Sequence, residues 1–327
     1  MADEAYPATM SNNPFQPPAP EQVQAHLAAH EPRPASPWVV WGPLLGIGVA
    51  IVLAFVIGGP AALLVPWLGL GLVFGYLVWR VRRLRGLERQ INETQELAMR
   101  RDHRPALVQA WRLIPRVSTQ PSMYVRCVAL LAHALDQFKA YEAALAAYDA
   151  LIEKLPEEDP GSVHLRLHRS IAALMAEHLA DADDALRRLA GQVLAGGESR
   201  DAGGGEGGDG DGEGGGEGGG GGGALATYRL AELIQRVRTH HFDDAAAASD
   251  NALQELRPLG VSAGFGHALL ALSWRRARDL GDAAQRAQHS ATWWQRATLL
   301  VPAATLVDRF PELAELAGDT PGPEVAT

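Results

Sequence analysis

The longest apolar pattern in the chain runs through residues 38–79, which form 42 consecutive residues without a charged side chain. One membrane-spanning helix needs about 20 apolar residues, so this run is long enough for two. Gly-Gly-Pro at residues 58–60 interrupts it near the middle and cannot continue a regular helix at low cost. The pattern predicts two transmembrane helices, at about residues 38–58 and 61–79, joined by a tight turn. The alternative is a hairpin buried in a soluble protein.

The residues that flank this hairpin predict its orientation. Five arginines fall within residues 80–89, and basic residues beside a membrane span stay on the cytoplasmic side. Aromatic residues at the outer ends of both segments form an interfacial belt at the same membrane face. Two spans then place both termini on the cytoplasmic side of a bacterial inner membrane, and the length of the apolar run argues against a signal peptide. The predicted membrane-interface residues are Trp38, Trp41, Tyr76, Trp79, Arg80, Arg82, Arg83 and Arg85.

The two ends of the chain lack a folding pattern. Residues 1–37 contain eight prolines and are rich in Ala, Gln and Asn, which predicts a disordered cytoplasmic tail. Within it, the stretch "EQVQAHLAAH" at residues 21–30 has the character of a short helix. Residues 319–327 are predicted to be a second disordered tail.

Beyond residue 80 the apolar residues recur at helical steps of three and four. The pattern is clearest between residues 124 and 160, where one helix carries Val128, Leu131 and Leu135 on a single face. A second helix follows from Tyr141 and ends at Pro156. Two antiparallel helices joined by a short turn form one hairpin unit.

This hairpin unit resembles a tetratricopeptide repeat (TPR), a family that places small residues where its paired helices cross and a proline after the second helix. The sequence departs from the family at Val128, where Trp is favoured, and at Leu151, where Ala is favoured. The residues at matching spacings are Leu131, Ala132, Tyr141, Ala144, Tyr148 and Pro156.

A small residue near the start of the second helix recurs along the chain with gaps of 38, 38, 63 and 38 residues. The longer gap contains the 28-residue Gly- and acid-rich segment 196–223, and it becomes 35 when that segment is excised. The sequence thus predicts an all-α protein: a two-helix transmembrane hairpin followed by a TPR-like α-solenoid of about five helix pairs. The pairs occupy residues 80–195 and 224–318, the latter including a C-terminal cap, with 196–223 as a disordered insertion. The recurring small residues are Ala106, Ala144, Ala182, Ala245 and Ala283.

Composition narrows the range of functions. The formal charge of −9 comes mostly from the insertion, and without it the chain carries about −3, so no positive field recruits nucleic acid. The single cysteine, Cys127, permits no disulfide within the chain and is expected to be a buried thiol. With 27 arginines and 2 lysines, the composition is typical of a GC-rich bacterial genome.

The motifs that resemble binding sites are incomplete. The glycine-rich insertion lacks the lysine and the strand–helix context of a phosphate-binding loop. The acidic loop at residues 209–214 lacks the glutamate that a calcium loop needs at its twelfth position. His164 and His168 share one helical face, and His240 and His241 are adjacent, but neither pair has a clear third metal ligand. We therefore expect no catalytic residue, no metal and no cofactor.

The resemblance to the TPR family implies that the first helices of the pairs line a concave groove for peptides. Arginines outnumber acids on those helices, which implies a basic groove suited to an acidic segment or a C-terminal carboxylate. The alternative is that these arginines only complement the C-terminal ends of helix dipoles. The candidate groove residues are Arg126, Arg166, Arg169, Arg229, Arg236 and Arg275.

These patterns favour a non-catalytic, membrane-anchored scaffold for protein–protein interaction, whose partners are another protein and the lipid bilayer. Two alternatives remain open. One is an assembly factor that acts through its transmembrane hairpin, where Gly69, Gly71 and Gly75 permit close helix contact. The other is a metal-dependent enzyme, or a subunit of one, that uses the histidines.

Overall fold

The computed structural model describes residues 16–32, 64–155, 160–201 and 220–318, together with positions 45, 48, 49 and 52. Every regular element in these residues is a helix, which confirms the all-α class. The chain divides into two compact units, Met1–Glu153 and Lys154–Thr327.

In residues 16–32 and 64–153, the first unit contains one helix near the N-terminus and two successive helix pairs. Its core is apolar, and the largest fully buried side chains include Ile91, Leu107, Ile114, Leu131 and Leu135. The helices of this unit are α1 (Pro20–Ala29), α2 (Leu64–Met99), α3 (His103–Val117), α4 (Pro121–Gln137) and α5 (Tyr141–Ile152).

Helix α2 is the longest element, with 36 residues, or about 54 Å at 1.5 Å per residue. One helix runs from the predicted second span through the arginine-rich stretch into the first repeat pair. Among the described residues, no helix combines the length and apolar character that a membrane crossing requires. The predicted first span at 38–58 lies almost entirely outside the described residues.

Helix α1 corrects the prediction of a disordered tail for part of residues 1–37. Residues 20–29 form a helix that packs against α5, and its apolar residues Val23 and Leu27 are buried. The two side chains lie four residues apart, on one helical face. The prolines that suggested disorder lie mostly outside this helix, and Pro20 starts it, as its fixed φ allows at a first helical position.

The turn between the two helices of a pair has the same geometry four times. A non-glycine residue adopts left-handed backbone angles, with φ between 59° and 66°. Its amide donates to the carbonyl three residues back at 3.0–3.3 Å, and the next amide donates to the carbonyl five residues back at 2.8–3.0 Å. This is the Schellman motif, which satisfies the last carbonyls of a helix. The left-handed residues are Arg101, Lys139, Glu177 and His240.

Each of these turns precedes a predicted small residue by five positions. Ala106, Ala144, Ala182 and Ala245 are all fully or almost fully buried. Each is the fourth residue of its helix and donates its amide to the carbonyl of the preceding N-cap residue at 2.9–3.2 Å. The predicted register is therefore confirmed for four helix pairs.

The second unit begins with two further pairs and ends in less regular helices. Two short 3-10 segments, Arg257–Ser262 and Pro311–Leu313, interrupt it. Its helices are α6 (Pro160–Met175), α7 (Leu179–Asp201), α8 (Gly220–Arg238), α9 (Phe242–Ala247), α10 (Ser249–Leu256), α11 (Ala263–Arg276), α12 (Ala283–Leu300), α13 (Ala303–Arg309) and α14 (Ala314–Gly318).

The predicted register is wrong for the fifth pair. Ala283 is exposed and is the first residue of α12, not a crossing point. The turn before it uses Gly281 at φ 64°, and Asp282 caps α12 through a capping box with Gln285. The close approach of α11 and α12 is instead made at Gly264, where an added Cβ would lie 2.7 Å from a methyl group of Val301.

The prediction of disorder for the whole segment 196–223 is wrong at its two ends. Helix α7 continues to Asp201 and α8 starts at Gly220, so both ends of segment 196–223 are helical. Residues 202–219 lie outside the described residues. Helices α7 and α8 pack against each other within the same unit, so the insertion connects two neighbours in space.

The C-terminal segment closes the second unit. Leu306, Phe310, Leu313 and Leu316 are buried there, and the Phe310 ring meets Phe265 of α11 edge-on at 6.1 Å. Its acidic side chains form ion pairs with earlier helices, among them Arg238–Glu312 at 2.9 Å and Arg276–Glu315 at 3.0 Å. Apolar packing and ion pairs together attach this cap.

Candidate interaction surfaces

The contact between α1 and the first repeat pairs is built from a small set of side chains. Val23 and Leu27 supply the apolar part, with 0% and 2% exposure. Between them, the His26 ring stacks on the Trp111 indole of α3, with centroids 4.0 Å apart and planes 11° from parallel. Nε2 of His26 also lies 3.2 Å from the Trp111 carbonyl oxygen. Aromatic stacking and a polar contact thus fix the orientation of α1.

The end of α1 is held by further contacts. Nδ1 of His30 lies 2.9 Å from the carbonyl oxygen of His26. Beyond the helix, Glu31 approaches Tyr124 of α4, and burial together with that negative charge raises the pKa of Tyr124 to about 12. The segment that contains α1 therefore reaches helices α3, α4 and α5.

The N-terminal half of α2 presents large apolar side chains that nothing in the described chain covers. Trp67, Leu72 and Phe74 are 72%, 76% and 68% exposed. Such a contiguous apolar surface marks contact with a membrane or another protein. An added Cβ at Gly71 or at Gly75 would meet no atom within 4 Å, so the helix surface is also open at these small residues.

Aromatic and cationic side chains meet where the apolar half of α2 ends. The rings of Tyr76 and Trp79 lie 6.0 Å apart, and the Arg83 guanidinium lies 5.6 Å from the centroid of the Trp79 ring. The structure therefore brings three of the predicted membrane-interface residues together. Trp38 and Trp41 lie outside the described residues.

The other predicted arginines continue along the same helix. At about 100° per residue, Arg80, Arg82, Arg83 and Arg85 extend around more than half of the circumference of α2. Arg82, Arg83 and Arg85 are exposed, and Arg80 is half-buried. These arginines therefore surround the helix and do not line one face of it.

The candidate groove arginines fall into two groups. In the second unit, acidic groups of the chain already pair with several of them: Arg169 binds Asp181 at 2.9 Å, and Arg229 binds Glu232 at 2.8 Å. Arg236 lies 3.6 Å from the same Glu232. These pairs neutralise much of the predicted basic character in this unit. Arg166 is half-buried on α6 and Arg275 is exposed near the end of α11.

Arg126 differs from the paired arginines. It is exposed on α4, and its contacts within the described part of the chain are with neutral amides of α2, at 3.0 Å from Asn92 Oδ1 and 3.5 Å from Gln95 Oε1. No acidic side chain among the described residues pairs with it, so it contributes a positive charge to the face shared by these two first helices.

A small cavity of about 30 Å³ lies between α8 and α10. Arg229 and Arg236 line it together with Glu232 and Glu255, and Leu233 and Leu256 supply apolar walls. Its volume matches one water molecule. The balance of two cations and two carboxylates makes it a structural ion network and not a pocket for a ligand.

The histidines do not assemble a metal site in the described part of the chain. No group of three or more His, Cys, Asp or Glu side chains there has an arrangement that could hold a metal ion. His241 instead lies 2.8 Å from Thr239 Oγ1 through its Nδ1, and His240 occupies a left-handed turn position. The geometry of this turn accounts for the placement of His240 and His241.

Cys127 is fully buried, as predicted. Its thiol donates to the Ala110 carbonyl at 3.2 Å, and burial raises its pKa to about 12. A thiol held in this protonated form is a poor nucleophile, so the environment suits packing between α3 and α4.

The α1 contact was missed by sequence reasoning. Val23 and Leu27 show the i, i+4 spacing of an amphipathic helix, and that signal is present in the sequence. Their partners lie more than 80 residues away, and no local pattern marks Trp111 as the aromatic that receives His26.

These features define the class of the molecule: an all-α chain built from repeated helix pairs that share one turn geometry. A scan against protein-family models, a search of curated proteins and a search of solved structures each found no match for the chain.

Proposed function

We propose that this chain is a non-catalytic scaffold of a bacterial inner membrane, in which a transmembrane hairpin anchors a TPR-like α-solenoid on the cytoplasmic side. The observation that carries the proposal is the fourfold turn at Arg101, Lys139, Glu177 and His240, with its buried alanine five residues later. A repeated unit that cannot bury its apolar face alone stacks on its neighbours, and such arrays serve as binding surfaces.

The packing inside each unit supports a solenoid arrangement. The first helix of one pair packs on the first helix of the next: α2 on α4 in the first unit, and α6 on α8 and α8 on α11 in the second. The first helices of a stacked array form one continuous face, which is the surface that TPR proteins use for peptides.

The membrane part of the proposal rests on residues 38–79 and on α2. The run without charges is long enough for two crossings, and the described part of α2 exposes Trp67, Leu72 and Phe74. The aromatic and arginine side chains at its end suit the interface between the acyl chains and the cytoplasmic headgroups.

The docking of α1 favours an even number of crossings. Residues 20–29 precede the hairpin and α5 follows it, yet the two helices pack against each other. Two parts of one chain can touch in this way only on the same side of a bilayer. This contact supports a two-pass topology with residues 20–29 and the repeats in one compartment.

The partner in this proposal is a protein with an acidic segment or C-terminus. The face shared by α2 and α4 is the best candidate for it, because no acidic side chain among the described residues pairs with Arg126 there. The arginines of the second unit contribute less, since Asp181, Glu232 and Glu255 already pair with Arg169, Arg229 and Arg236.

A second candidate is an assembly factor that acts through the hairpin. It is favoured by the open surface at Gly71 and Gly75, which lie four residues apart on one face of α2 and fit the small-residue pattern of packed membrane helices.

Crosslinking in native membranes separates these two functions. One variant lacks residues 86–327, and the other carries Gly71→Leu and Gly75→Leu in the full chain. The scaffold proposal expects specific crosslinks to persist in the glycine variant and to disappear from the truncated chain. Crosslinks to the same partner that survive the truncation and are lost in the glycine variant would establish the assembly factor instead.

A further inference from the structure

Residues 80–89 of α2 form a basic segment that lies outside the repeat core. The segment contains five arginines and one acidic residue, Glu88. Of the described side chains of α2, Ile91 is the first that is buried. Arg80 precedes it by 11 residues, or about 17 Å along the helix axis. The packing of the repeats therefore leaves the basic segment accessible.

The arginines of the basic segment form no ion pair with an acidic side chain of the described residues. Further along the same helix, Arg100 does pair with Glu96, at 3.4 Å, and on α8 Arg229 pairs with Glu232 at 2.8 Å. Each guanidinium carries five N–H donors in a planar fork that suits phosphate or carboxylate oxygens. The positive charge of the segment thus remains available to an anionic ligand.

The distribution of these arginines fits a lipid layer better than a protein surface. They extend around more than half of the helix circumference, whereas a docked protein contacts one face of a helix. From Arg80 to Arg85 they cover five residue steps, or about 7.5 Å of the helix axis. The polar headgroup layer on one side of a bilayer is about 5–8 Å thick, so the two dimensions agree.

The neighbouring aromatic residues place the segment at the depth of the headgroups. Trp79 comes directly before it, and tryptophan is enriched at the membrane–water interface. The Arg83 guanidinium lies 5.6 Å from the centroid of the Trp79 ring, which joins the cation to the interfacial ring. On the other side of Trp79, α2 exposes apolar side chains such as Leu72 and Phe74. Apolar, aromatic and cationic surfaces thus follow one another in the order of the bilayer regions.

We propose that the basic segment is a binding site for anionic glycerophospholipids of the leaflet that faces the repeats, and that its arginines bind the lipid phosphates. The proposal rests on the membrane anchor proposed above and adds a class of lipid to it. One guanidinium donates two parallel N–H bonds to a phosphate group. In a zwitterionic lipid an ammonium group offsets that attraction, so the segment selects lipids by their net charge.

Quenching of tryptophan fluorescence by brominated phospholipids tests this selection on the purified full chain in reconstituted bilayers. Bromine on the acyl chains quenches only indoles that contact lipid, so the signal reports which lipid adjoins the protein. Brominated phosphatidylcholine, which is zwitterionic, is compared with brominated phosphatidylglycerol, which is anionic, each in mixtures with unlabelled phosphatidylcholine. The wild-type chain is expected to favour the anionic lipid by about fivefold, the effect of roughly one arginine at a charged surface.

The ionic conditions provide a second readout. Raising the salt concentration from about 0.05 M to about 0.5 M should reduce the preference, because salt screens exposed charges. Inorganic phosphate at the same ionic strength should reduce it no further than chloride does. Abolition of the preference by inorganic phosphate alone would show a site for soluble phosphate and would overturn the proposal.

Three sets of variants make the result specific. Glutamine at four arginines of the basic segment removes their charge and should make the two lipids bind equally. Lysine at the same positions keeps the charge and should retain most of the preference. The matched control removes four exposed arginines outside α2 and should behave as the wild type. The test positions are Arg80, Arg82, Arg83 and Arg85. The control substitutions are Arg112→Gln, Arg116→Gln, Arg257→Gln and Arg278→Gln.

The outcomes separate this proposal from the anchor on which it rests. No quenching by brominated phosphatidylcholine, with the chain recovered outside the bilayers, would contradict the anchor and this proposal with it. Equal quenching by both lipids in the wild-type chain, or a preference that persists in the glutamine variant, would overturn the lipid site alone. If the preference is absent and the glutamine variant loses a protein crosslink in native membranes, the basic segment binds an acidic protein instead.

Discussion

At the scale of single residues, each repeated turn holds a non-glycine residue in a sterically unfavourable backbone conformation. Glu177 is exposed and adopts φ 66°, a region that only glycine enters without steric penalty. None of the four residues at this turn position is glycine or asparagine. The residue types give no hint of a left-handed conformation, which is why the sequence predicted the register of the pairs but not the motif that joins them.

Glu177→Gly should therefore stabilise the protein by up to about 1 kcal/mol. Glu177→Val should destabilise it by about 1–2 kcal/mol, because a β-branched side chain fits a positive φ poorly. Thermal denaturation measures both changes. Gln288→Gly, at an exposed position inside α12, is the matched control and should cost about 0.5–1 kcal/mol. A Glu177→Gly variant as unstable as Gln288→Gly would contradict the assigned backbone.

The burial of His267 makes the stability of the protein depend on pH. It is 6% exposed on α11, and neither ring nitrogen has a hydrogen-bond partner in the described chain. Burial, reinforced by the positive charge of Arg296, lowers the pKa of His267 below its usual 6.5. Its neutral form is the one compatible with the fold. Stability is therefore fully present above pH 6.5 and is lost as the pH falls toward the lowered folded-state pKa.

His267→Leu should reduce the drop in melting temperature between pH 7.5 and pH 5.5, because an apolar side chain of similar size has no proton to gain. At pH 7.5 the variant should be as stable as the wild type or more so, since two unpaired nitrogens are removed. The exposed His241→Gln is the control and should keep the wild-type pH dependence. An unchanged pH dependence in His267→Leu would show that its burial has been assigned wrongly.

At the scale of elements, glycine has opposite roles in two helices. Gly264 of α11 faces α12, where a Cβ would lie 2.7 Å from Val301 Cγ2 and 3.3 Å from the Ala297 carbonyl oxygen. Gly191 of α7 has nothing within 4 Å of the same position. The first glycine permits close helix packing, and the second only weakens its helix.

Gly264→Ala should destabilise the protein by about 1–3 kcal/mol through overpacking. Gly191→Ala should stabilise it by about 0.5–1 kcal/mol, because alanine is the better helix former. Denaturant titrations at constant m-value measure both. Destabilisation of equal size in the two variants would mean that α11 and α12 do not approach closely at Gly264.

The elements also show where prediction from the sequence succeeds. Helical periodicity and small residues at a fixed spacing placed Ala106, Ala144, Ala182 and Ala245, because that information is local to each pair. The predicted position is wrong for the fifth pair at Ala283, because the close contact between its two helices is made at Gly264 of α11. Helix α1 was recognisable as a short helix, but its docking depends on Trp111, 85 residues from His26.

At the scale of the whole molecule, α2 connects the proposed membrane anchor rigidly to the first helix pair. One unbroken helix joins the apolar segment from Leu64 to the repeat core around Ile91. Under the membrane-anchored proposal there is no flexible linker between bilayer and first helix pair. Docked α1 then ties the segment that precedes the predicted hairpin to the same unit.

The topology of the full chain tests the central claim most directly. Reporter fusions ahead of residue 1 and after residue 327 locate both ends of the chain in cells. Alkaline extraction of the same cells shows whether the chain stays in the membrane. We predict that a cytoplasm-active fluorescent reporter works at both ends and that a periplasm-active phosphatase works at neither. A phosphatase that is active at either end, or release of the full chain by alkaline extraction, would contradict the two-pass anchored scaffold.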